Sequence, residues 1–257
     1  MRTALLVALL VAAFACGPRT PPAAPLSGDT TSKLAQAVAG SWRPESESAR
    51  DRYRHPVETL QFFGLRDDMT VVELFPGGGW YTAILAPVLA GRGKLACAPA
   101  GDDLRRRLAS SPFFARVEAR DFASLGPDGS ADMVVTFRNV HNWIGQHTEA
   151  AVFARAFAVV KSGGILGVEE HRAPPGADPA QAPATGYVPE AYVVQLAETA
   201  GFKLAGRSEI NDNPRDTKDY PKGVWTLPPS YDLGEKDHAK YEAIGESDRM
   251  TLKFVKP

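Results

Sequence analysis

The feature that most constrains the fold is an alternation that starts at residue 70, where short apolar segments alternate with segments of helical pattern. Strands are predicted at 70–75, 94–98, 116–119, 131–137, 165–169, 202–210 and 248–255. Helices are predicted at 33–39, in one or two pieces within 48–65 that Gly64 ends, and at 81–90, 102–109, 148–162 and 189–200. Continuous apolar strands separated by helices are typical of a parallel sheet covered on both faces.

The last two predicted strands have no crossover helix pattern between them, so we expect them to pair antiparallel at one edge. The predicted fold is therefore α/β: a doubly wound, mostly parallel Rossmann-like sheet in three αβα layers with an antiparallel edge strand. In such sheets, ligands bind beyond the carboxyl ends of the strands.

The N-terminus has the pattern of an export signal. Arg2 precedes an apolar run that ends at Cys16, and the run is too short to span a bilayer comfortably. The end of this run resembles the lipobox of bacterial lipoproteins, although Phe14 stands where leucine is usual. We therefore predict a signal at 1–16, a Pro/Thr-rich tether at 17–31 and one domain at 32–257, exported to the periplasm and anchored by lipid on Cys16. A plain secretory signal is the alternative.

The net charge limits the classes of binding partner that we expect, and the cysteine content indicates a role for Cys97. The net charge of −1 gives no electrostatic reason to expect nucleic acid, so we expect a small-molecule substrate, with membrane contact only through the lipid. The only other cysteine, Cys97, lies in an apolar strand and is predicted to be core.

A glycine-rich loop follows the first predicted strand in the sequence VVELFPGGGWYT, residues 71–82. Glycine has no Cβ to block a ligand, and the helix that follows offers free N–H groups. The loop is therefore predicted to receive a polar or anionic group, with a tight structural turn as the alternative. The third position of the dinucleotide fingerprint is Thr82 instead of glycine, and no P-loop lysine is present.

The order of motifs resembles class I S-adenosylmethionine-dependent methyltransferases over about residues 48–257. VVELFPGGG, EARDF, DGSADMVVTFRNVHNW, FAVVKSGGILGVEE and LAETAGF follow the family's order. PGGGWYT, FRNVHNW and ESDRMTLKFVKP together look like an uncharacterised bacterial group of predicted methyltransferases.

The resemblance implies S-adenosylmethionine as cofactor. It implies cofactor contacts at the first strand and its loop, after the third strand and at the end of the fourth: Glu73, Pro76, Gly77, Gly78, Gly79, Tyr81, Asp121, Phe122 and Phe137. Asp121 would meet the adenine amino group, with Phe122 beside the ring.

Two positions depart from the family pattern. Phe75 replaces the first glycine, and Pro99 stands where an acidic residue normally holds the ribose hydroxyls. Losing a carboxylate partner weakens binding by about 1.5–3 kcal/mol. Together with export away from the cytoplasmic cofactor supply, this leaves an alternative function: a non-catalytic binding protein with a degenerate cofactor site.

Two short segments supply the candidate catalytic residues. RNVHNW follows the fourth strand and offers His141 as base, with Arg138 and Asn142 to orient the substrate. The alternative is a loop whose His and Asn cap the next helix. EEHR ends the fifth strand, where His171 is a second base candidate.

A metal site built on His141 and His171 is a further, weaker hypothesis, and no metal is predicted. The long insertion 211–233 is predicted to be a lid that contacts substrate through Trp225 and Tyr231.

Overall fold

The computed structural model describes residues 23–257. The predicted signal, Cys16 and the first part of the tether lie outside this range. Seven strands form one sheet: β1 (Thr70–Leu74), β2 (Lys94–Ala98), β3 (Glu118–Ala119), β4 (Ala131–Phe137), β5 (Val160–His171), β6 (Lys203–Ser208) and β7 (Arg249–Val255).

The strand order is β3-β2-β1-β4-β5-β7-β6. Pairing is parallel from β3 to β5, whereas β7 pairs antiparallel with both β5 and β6. The predicted doubly wound sheet with an antiparallel pair at its edge is confirmed. The antiparallel strand β7 lies one place in from the edge, with β6 outside it.

Eleven α-helices are assigned in residues 23–257. Those that precede β4 are α1 (Thr30–Val38), α2 (Glu45–Ser48), α3 (Asp51–Arg54), α4 (Pro56–Phe63), α5 (Thr82–Leu89) and α6 (Asp102–Ala109). The later ones are α7 (Val140–Gln146), α8 (Glu149–Val159), α9 (Ala182–Thr185), α10 (Glu190–Thr199) and α11 (His238–Ile244). Within the described residues no helix has the length and apolar character needed to cross a membrane.

Alternate residues of each strand face two separate cores, as the two-residue period of a strand requires. One core packs β1 residues such as Val71 against α1, α4 and α5, and the other packs residues such as Val72 against α7, α8 and α10. In β7, Met250, Leu252 and Phe254 are fully buried in the second core, as their alternation predicted.

Among the predicted boundaries that differ from the structure, two have a clear physical cause. Gly163 and Gly164 were expected to end the helix that follows Thr148, but α8 ends at Val159 and both glycines lie in β5. A Cβ on Gly164 would lie 2.9 Å from the Asp132 carbonyl oxygen, so this glycine allows close approach of the β4 backbone instead of capping a helix. The helix predicted at 33–39 begins earlier, because Asp29 accepts a hydrogen bond from the Ser32 amide and caps it.

Candidate functional site

A cavity of about 300 Å³ lies at the carboxyl ends of β4 and β5. Its lining residues come from five separate parts of the chain: Arg50, Arg54, Arg138, His141, His171, Val224, Trp225, Pro228, Pro229, Ser230, Glu246 and Ser247. The volume suits a small molecule. The structure thus brings together Arg138, His141 and His171, three of the four predicted catalytic residues.

His141 lies in the first turn of α7, a helix that the sequence patterns did not predict. Its Nδ1 is 3.1 Å from Oε1 of Glu170, at the end of β5. Glu170 is fully buried and also accepts hydrogen bonds from the amides of Val140, His141 and His171. A carboxylate fixed in this way selects the tautomer with the proton on Nδ1, so that Nε2 of His141 is free to accept a proton.

His171 lies beside His141, with 5.5 Å between the ring centroids. Its Nδ1 is 2.5 Å from the Ser247 hydroxyl oxygen. Burial lowers the pKa of His171 well below its ordinary value, and the charges of His141, Arg138 and Arg249 lower it further. This imidazole is therefore neutral near pH 7.

His141, Glu170 and His171 each place one potential ligand atom within 4.8 Å of the others. This spacing meets the geometric condition for a metal site that sequence separation could not test. Three backbone amides already engage the Glu170 carboxylate, and guanidinium charges stand close to His171. Both features oppose binding of a cation.

Three arginines converge on one buried carboxylate, Glu246, which lines the cavity. Glu246 accepts from Nε of Arg50 at 2.6 Å, from Nε of Arg54 at 3.0 Å and from Nη1 of Arg249 at 2.8 Å. Burial alone would raise the pKa of Glu246, but the charges of Arg249, Arg50 and Arg138 together lower it below its ordinary value, with Arg249 contributing most. Arg249 also lies 3.2 Å from Oε1 of Glu169.

Arg138 follows β4 directly and differs from the other arginines of the cavity. Its guanidinium donates no hydrogen bond to any residue in 23–257, and its carboxylate neighbour, Oε1 of Glu169, is 3.7 Å from Nη1. Its backbone has φ +59°, a left-handed conformation that costs a non-glycine residue about 1–3 kcal/mol. Strain of this kind clusters at functional sites.

The insertion 211–233 supplies the apolar side of the cavity through Val224, Trp225 and Pro228. The indole of Trp225 meets the His141 ring edge-on at 5.8 Å between centroids. Trp225, a predicted substrate contact, thus lies in the cavity wall. Tyr231 does not line the cavity, because its ring stacks on His238 at 4.1 Å.

Asn142 is exposed on α7 and does not line this cavity, which corrects its predicted role in orienting substrate there. Successive residues of a helix face different directions, and α7 turns His141 inward and Asn142 outward. The sequence patterns missed Arg50 and Arg54. Their spacing of four residues would place them on one helical face, which was the available signal.

The glycine-rich loop lies at the carboxyl end of β1, as predicted. Gly77 and Gly78 are exposed, and a Cβ at either position would meet nothing within 4 Å. Gly79 differs, because a Cβ there would lie 2.8 Å from Cδ1 of Leu104 in α6. Two of the three glycines thus leave bare main chain open to a ligand, while the third allows close helix packing.

Glu73 is buried beneath this loop. Its Oε2 accepts a 2.6 Å hydrogen bond from the Thr82 hydroxyl, and the Cys97 thiol lies 3.7 Å away. Burial raises the pKa of Glu73 to about 7. The carboxyl group therefore links β1 to the start of α5 and is directed into the protein, and its direct contact with cofactor stays a prediction.

Tyr81 joins the loop to the cavity. Its ring stacks on Phe137 with 3.5 Å between centroids, and its hydroxyl donates to Oε2 of Glu169 at 2.9 Å. Both aromatic rings are buried in the core, and their contact with cofactor stays a prediction. The glycine-rich loop and the cavity are therefore neighbours at one edge of the sheet.

The remaining predicted cofactor residues lie beside the loop. Asp121 follows β3 and its side chain is 84% exposed, so it is free to meet a ligand. Phe122 packs on Phe75 at 5.6 Å, and Phe75 also lies 5.3 Å from the Trp143 ring. Phe75 thus occupies space that the glycine usual at this position would leave open. Pro76, a predicted cofactor residue, is partly exposed.

Neither a family model nor a curated protein matches this sequence. Solved structures match its fold. A SAM-dependent methyltransferase from Aquifex aeolicus is 15% identical with a TM-score of 0.55, and the match covers 88% of this chain and 98% of that chain. The N-methyltransferase NodS from Bradyrhizobium japonicum, solved with S-adenosyl-L-homocysteine, is 14% identical with a TM-score of 0.53 over 90% of this chain and 100% of that chain.

The [4+2]-cyclase SpnF is equally similar, at 16% identity and a TM-score of 0.55 over 89% of this chain and 93% of that chain. At these identities the similarity establishes the Rossmann-like methyltransferase fold. The presence of a cyclase among the matches shows that this fold alone does not fix the reaction.

Proposed function

We propose that the protein is an S-adenosylmethionine-dependent methyltransferase that acts on a small molecule. The observation that carries the proposal is the adjacency of two features at one edge of this fold. Exposed Gly77 and Gly78 stand after β1, and a cavity with an oriented imidazole stands after β4 and β5. The bond between Tyr81 and Glu169 connects the two.

The residues near the loop fit the cofactor in part. The main chain at Gly77 and Gly78 is open to its polar groups, and exposed Asp121 is free to bond an adenine amino group. Pro99 offers no acceptor to the ribose, although Asp102 and Asp103 are exposed nearby at the start of α6. The cofactor would supply an electrophilic methyl group on sulfonium. We expect the missing carboxylate to weaken its binding by about 1.5–3 kcal/mol.

In this proposal, the side chains that take part in the chemistry are those in and next to the cavity. Nε2 of His141 takes the proton of the acceptor, while Glu170 holds the imidazole by Nδ1. Neutral His171, bonded to Ser247, is available to orient the acceptor. The walls from α3, α7 and the insertion limit access of water and align the acceptor, which supplies rate through proximity.

Calorimetric titration of the full-length protein with S-adenosylmethionine and S-adenosylhomocysteine tests this function. We expect saturable binding of both. A folded sample that gives no heat at millimolar ligand would reject the proposal. Saturable binding without transfer of a labelled methyl group to any acceptor in a small-molecule extract would instead favour a non-catalytic binding protein.

Metal-assisted chemistry at His141 and His171 is a second candidate, favoured by the 4.8 Å clustering of their ligand atoms with that of Glu170. Metal analysis of protein purified without chelator tests it. Stoichiometric metal that is lost in His171→Ala protein would support this candidate, and a metal-free, folded and active preparation would reject it.

We further propose export and lipid anchoring through Cys16, supported by the sequence of the first 16 residues. Labelled palmitate should enter the wild-type protein and should be absent from Cys16→Ser. Equal labelling of the two proteins, or none in either, would contradict lipidation.

A further inference from the structure

The cavity lining and the buried charged groups paired next to it include more cationic than anionic groups. Arg50, Arg54, Arg138 and Arg249 stand against three carboxylates, those of Glu169, Glu170 and Glu246. Four guanidinium groups against three carboxylates leave an excess of one positive charge, to which neutral His171 adds nothing. A buried charge excess is costly unless a ligand of opposite sign compensates it.

Among these four arginines, Arg138 is the one whose guanidinium donors are unused, since its only charged neighbour within 4 Å in the described part of the chain is Glu169 at 3.7 Å. Arg50, Arg54 and Arg249 all bond Glu246, whereas the Arg138 guanidinium makes no hydrogen bond within residues 23–257. The Arg138 side chain is 20% exposed, and it lines the cavity. Arg54, which is 2% exposed, also has an Nη1 without a hydrogen-bond partner. Planar guanidinium groups with free donors are suited to carboxylate or phosphate oxygens.

The other wall of the cavity is apolar and aromatic, formed by Val224, Trp225, Pro228 and Pro229. A ligand that satisfies both walls has an anionic group at one end and an apolar or aromatic body. His141 stands between the walls, because its ring contacts Trp225 and it follows Arg138 by three residues.

We propose that the cavity binds a small organic anion, with its carboxylate or phosphate on Arg138 and its apolar body against Trp225. This inference deepens the proposed function, because it rests on that function for the identification of the anion as the methyl acceptor. The anion site itself depends only on the residues of the cavity.

Calorimetry on the full-length protein, with a matched pair of probes, tests the site. The probes are 4-hydroxybenzoate and the neutral 4-hydroxybenzamide, which have nearly the same shape and differ in charge. We expect the acid to bind at least about tenfold more tightly, because a charge-assisted bond to a guanidinium contributes about that factor. Arg138→Gln should abolish this preference.

Arg52→Gln is the matched control. Arg52 is an exposed arginine of α3 whose guanidinium lies over the Tyr53 ring at 4.6 Å, and it does not line the cavity. We expect this variant to keep the full preference for the acid. Circular dichroism of both variants reports whether they are folded. A second variant, Trp225→Ala, should weaken the acid and the amide by a similar factor, since it removes apolar contact common to both.

Three results would overturn the anion site: equal binding of acid and amide, no binding of either at millimolar concentration, or an unchanged preference in folded Arg138→Gln. The titration with the acid is then repeated in the presence of saturating S-adenosylhomocysteine. Loss of acid binding by competition would overturn the proposal, because the arginines would then hold the carboxylate of the cofactor product. Phenyl phosphate in place of the acid distinguishes carboxylate from phosphate preference.

The methyltransferase proposal and the anion-site proposal can be rejected independently of each other. Binding of S-adenosylhomocysteine without discrimination between acid and amide removes the anion site and leaves the methyltransferase proposal. Discrimination without any binding of S-adenosylhomocysteine removes the methyltransferase proposal and leaves an anion-binding protein.

Discussion

The glycine-rich end of β1 and the cavity after β4 and β5 are built in different ways. The first is a continuous segment in which Gly77 and Gly78 present open main chain. The second draws its lining from α3, α7, the end of β5 and two distant segments near 224–230 and 246–247. Its polar groups are buried and interconnected, whereas the loop has one buried acid, Glu73, beneath it.

This difference predicts different responses to mutation. A side chain in the cavity has several charged partners, so its removal should affect neighbours as well as any ligand. A change at an exposed glycine of the loop should affect a ligand and leave stability nearly unchanged. Substitutions in the two regions therefore separate these effects.

The largest expected effect is on catalysis. His141→Gln removes the base that Glu170 orients, and we expect methyl transfer to fall by about 10²–10⁴-fold. The affinity for S-adenosylhomocysteine should change little. Radiolabel transfer and calorimetry measure the two quantities. Asn142→Ala, on the exposed side of α7, is the control and should retain its rate. A His141→Gln enzyme with wild-type turnover would show that the imidazole is not the base.

The next effect is on folding. Arg249 is 1% exposed, bonds Glu246 at 2.8 Å and also donates to the Tyr53 carbonyl. Arg249→Met leaves two buried carboxylates with fewer partners, so we expect a loss of about 3–5 kcal/mol in the free energy of unfolding. Denaturant titration measures it. Arg207→Met, an exposed arginine paired with Glu190, should cost less than about 1 kcal/mol. Equal losses for the two variants would show that the buried network contributes no more to the free energy of unfolding than an exposed ion pair does.

The third effect is a pH dependence of stability at the loop. The pKa of Glu73 is about 7 in the folded protein and 4.5 ordinarily. The folded state therefore binds the proton more tightly, and its stability falls as pH rises from about 4.5 to 7. Glu73→Gln should remove this decline, which is at most about 3 kcal/mol.

The lowered pKa of His171 has the opposite effect on the pH dependence of stability. Because of it, stability falls as pH drops below 6.5. The difference between wild type and Glu73→Gln at each pH isolates the carboxyl group from this contribution. Parallel curves for the two proteins across pH 4.5–7 would contradict the assignment to Glu73.

The smallest effects compare neighbouring glycines. Gly79→Ala places a Cβ 2.8 Å from Leu104 at φ +83°, so we expect a loss of about 1–3 kcal/mol in stability. Gly78→Ala meets open space, so its stability should change by less than about 0.5 kcal/mol. Its affinity for S-adenosylhomocysteine should fall. Unchanged affinity in Gly78→Ala would place the cofactor away from this main chain.

Sequence patterns predicted regular elements well where the apolar pattern and the ends of the element agree. The strands at 94–98 and 131–137 and the helix at 102–109 have the predicted bounds. The prediction failed at Gly163 and Gly164, because glycine is common both after helices and where two strands approach closely. Only the distance from Gly164 to the Asp132 backbone distinguishes these uses.

By itself, the sequence determined the layered sheet, the glycine-rich loop after β1 and the presence of histidines after β4 and β5, because these depend on local periodicity and on which strand ends share an edge. The tertiary structure decided which side chains face one another. It buried Tyr81 and Phe137, turned Asn142 to solvent, and set Arg50 and Arg54 of the N-terminal helical region against Glu246, nearly 200 residues away in the chain. Such contacts depend on the packing of distant segments, and no local pattern in the chain encodes them.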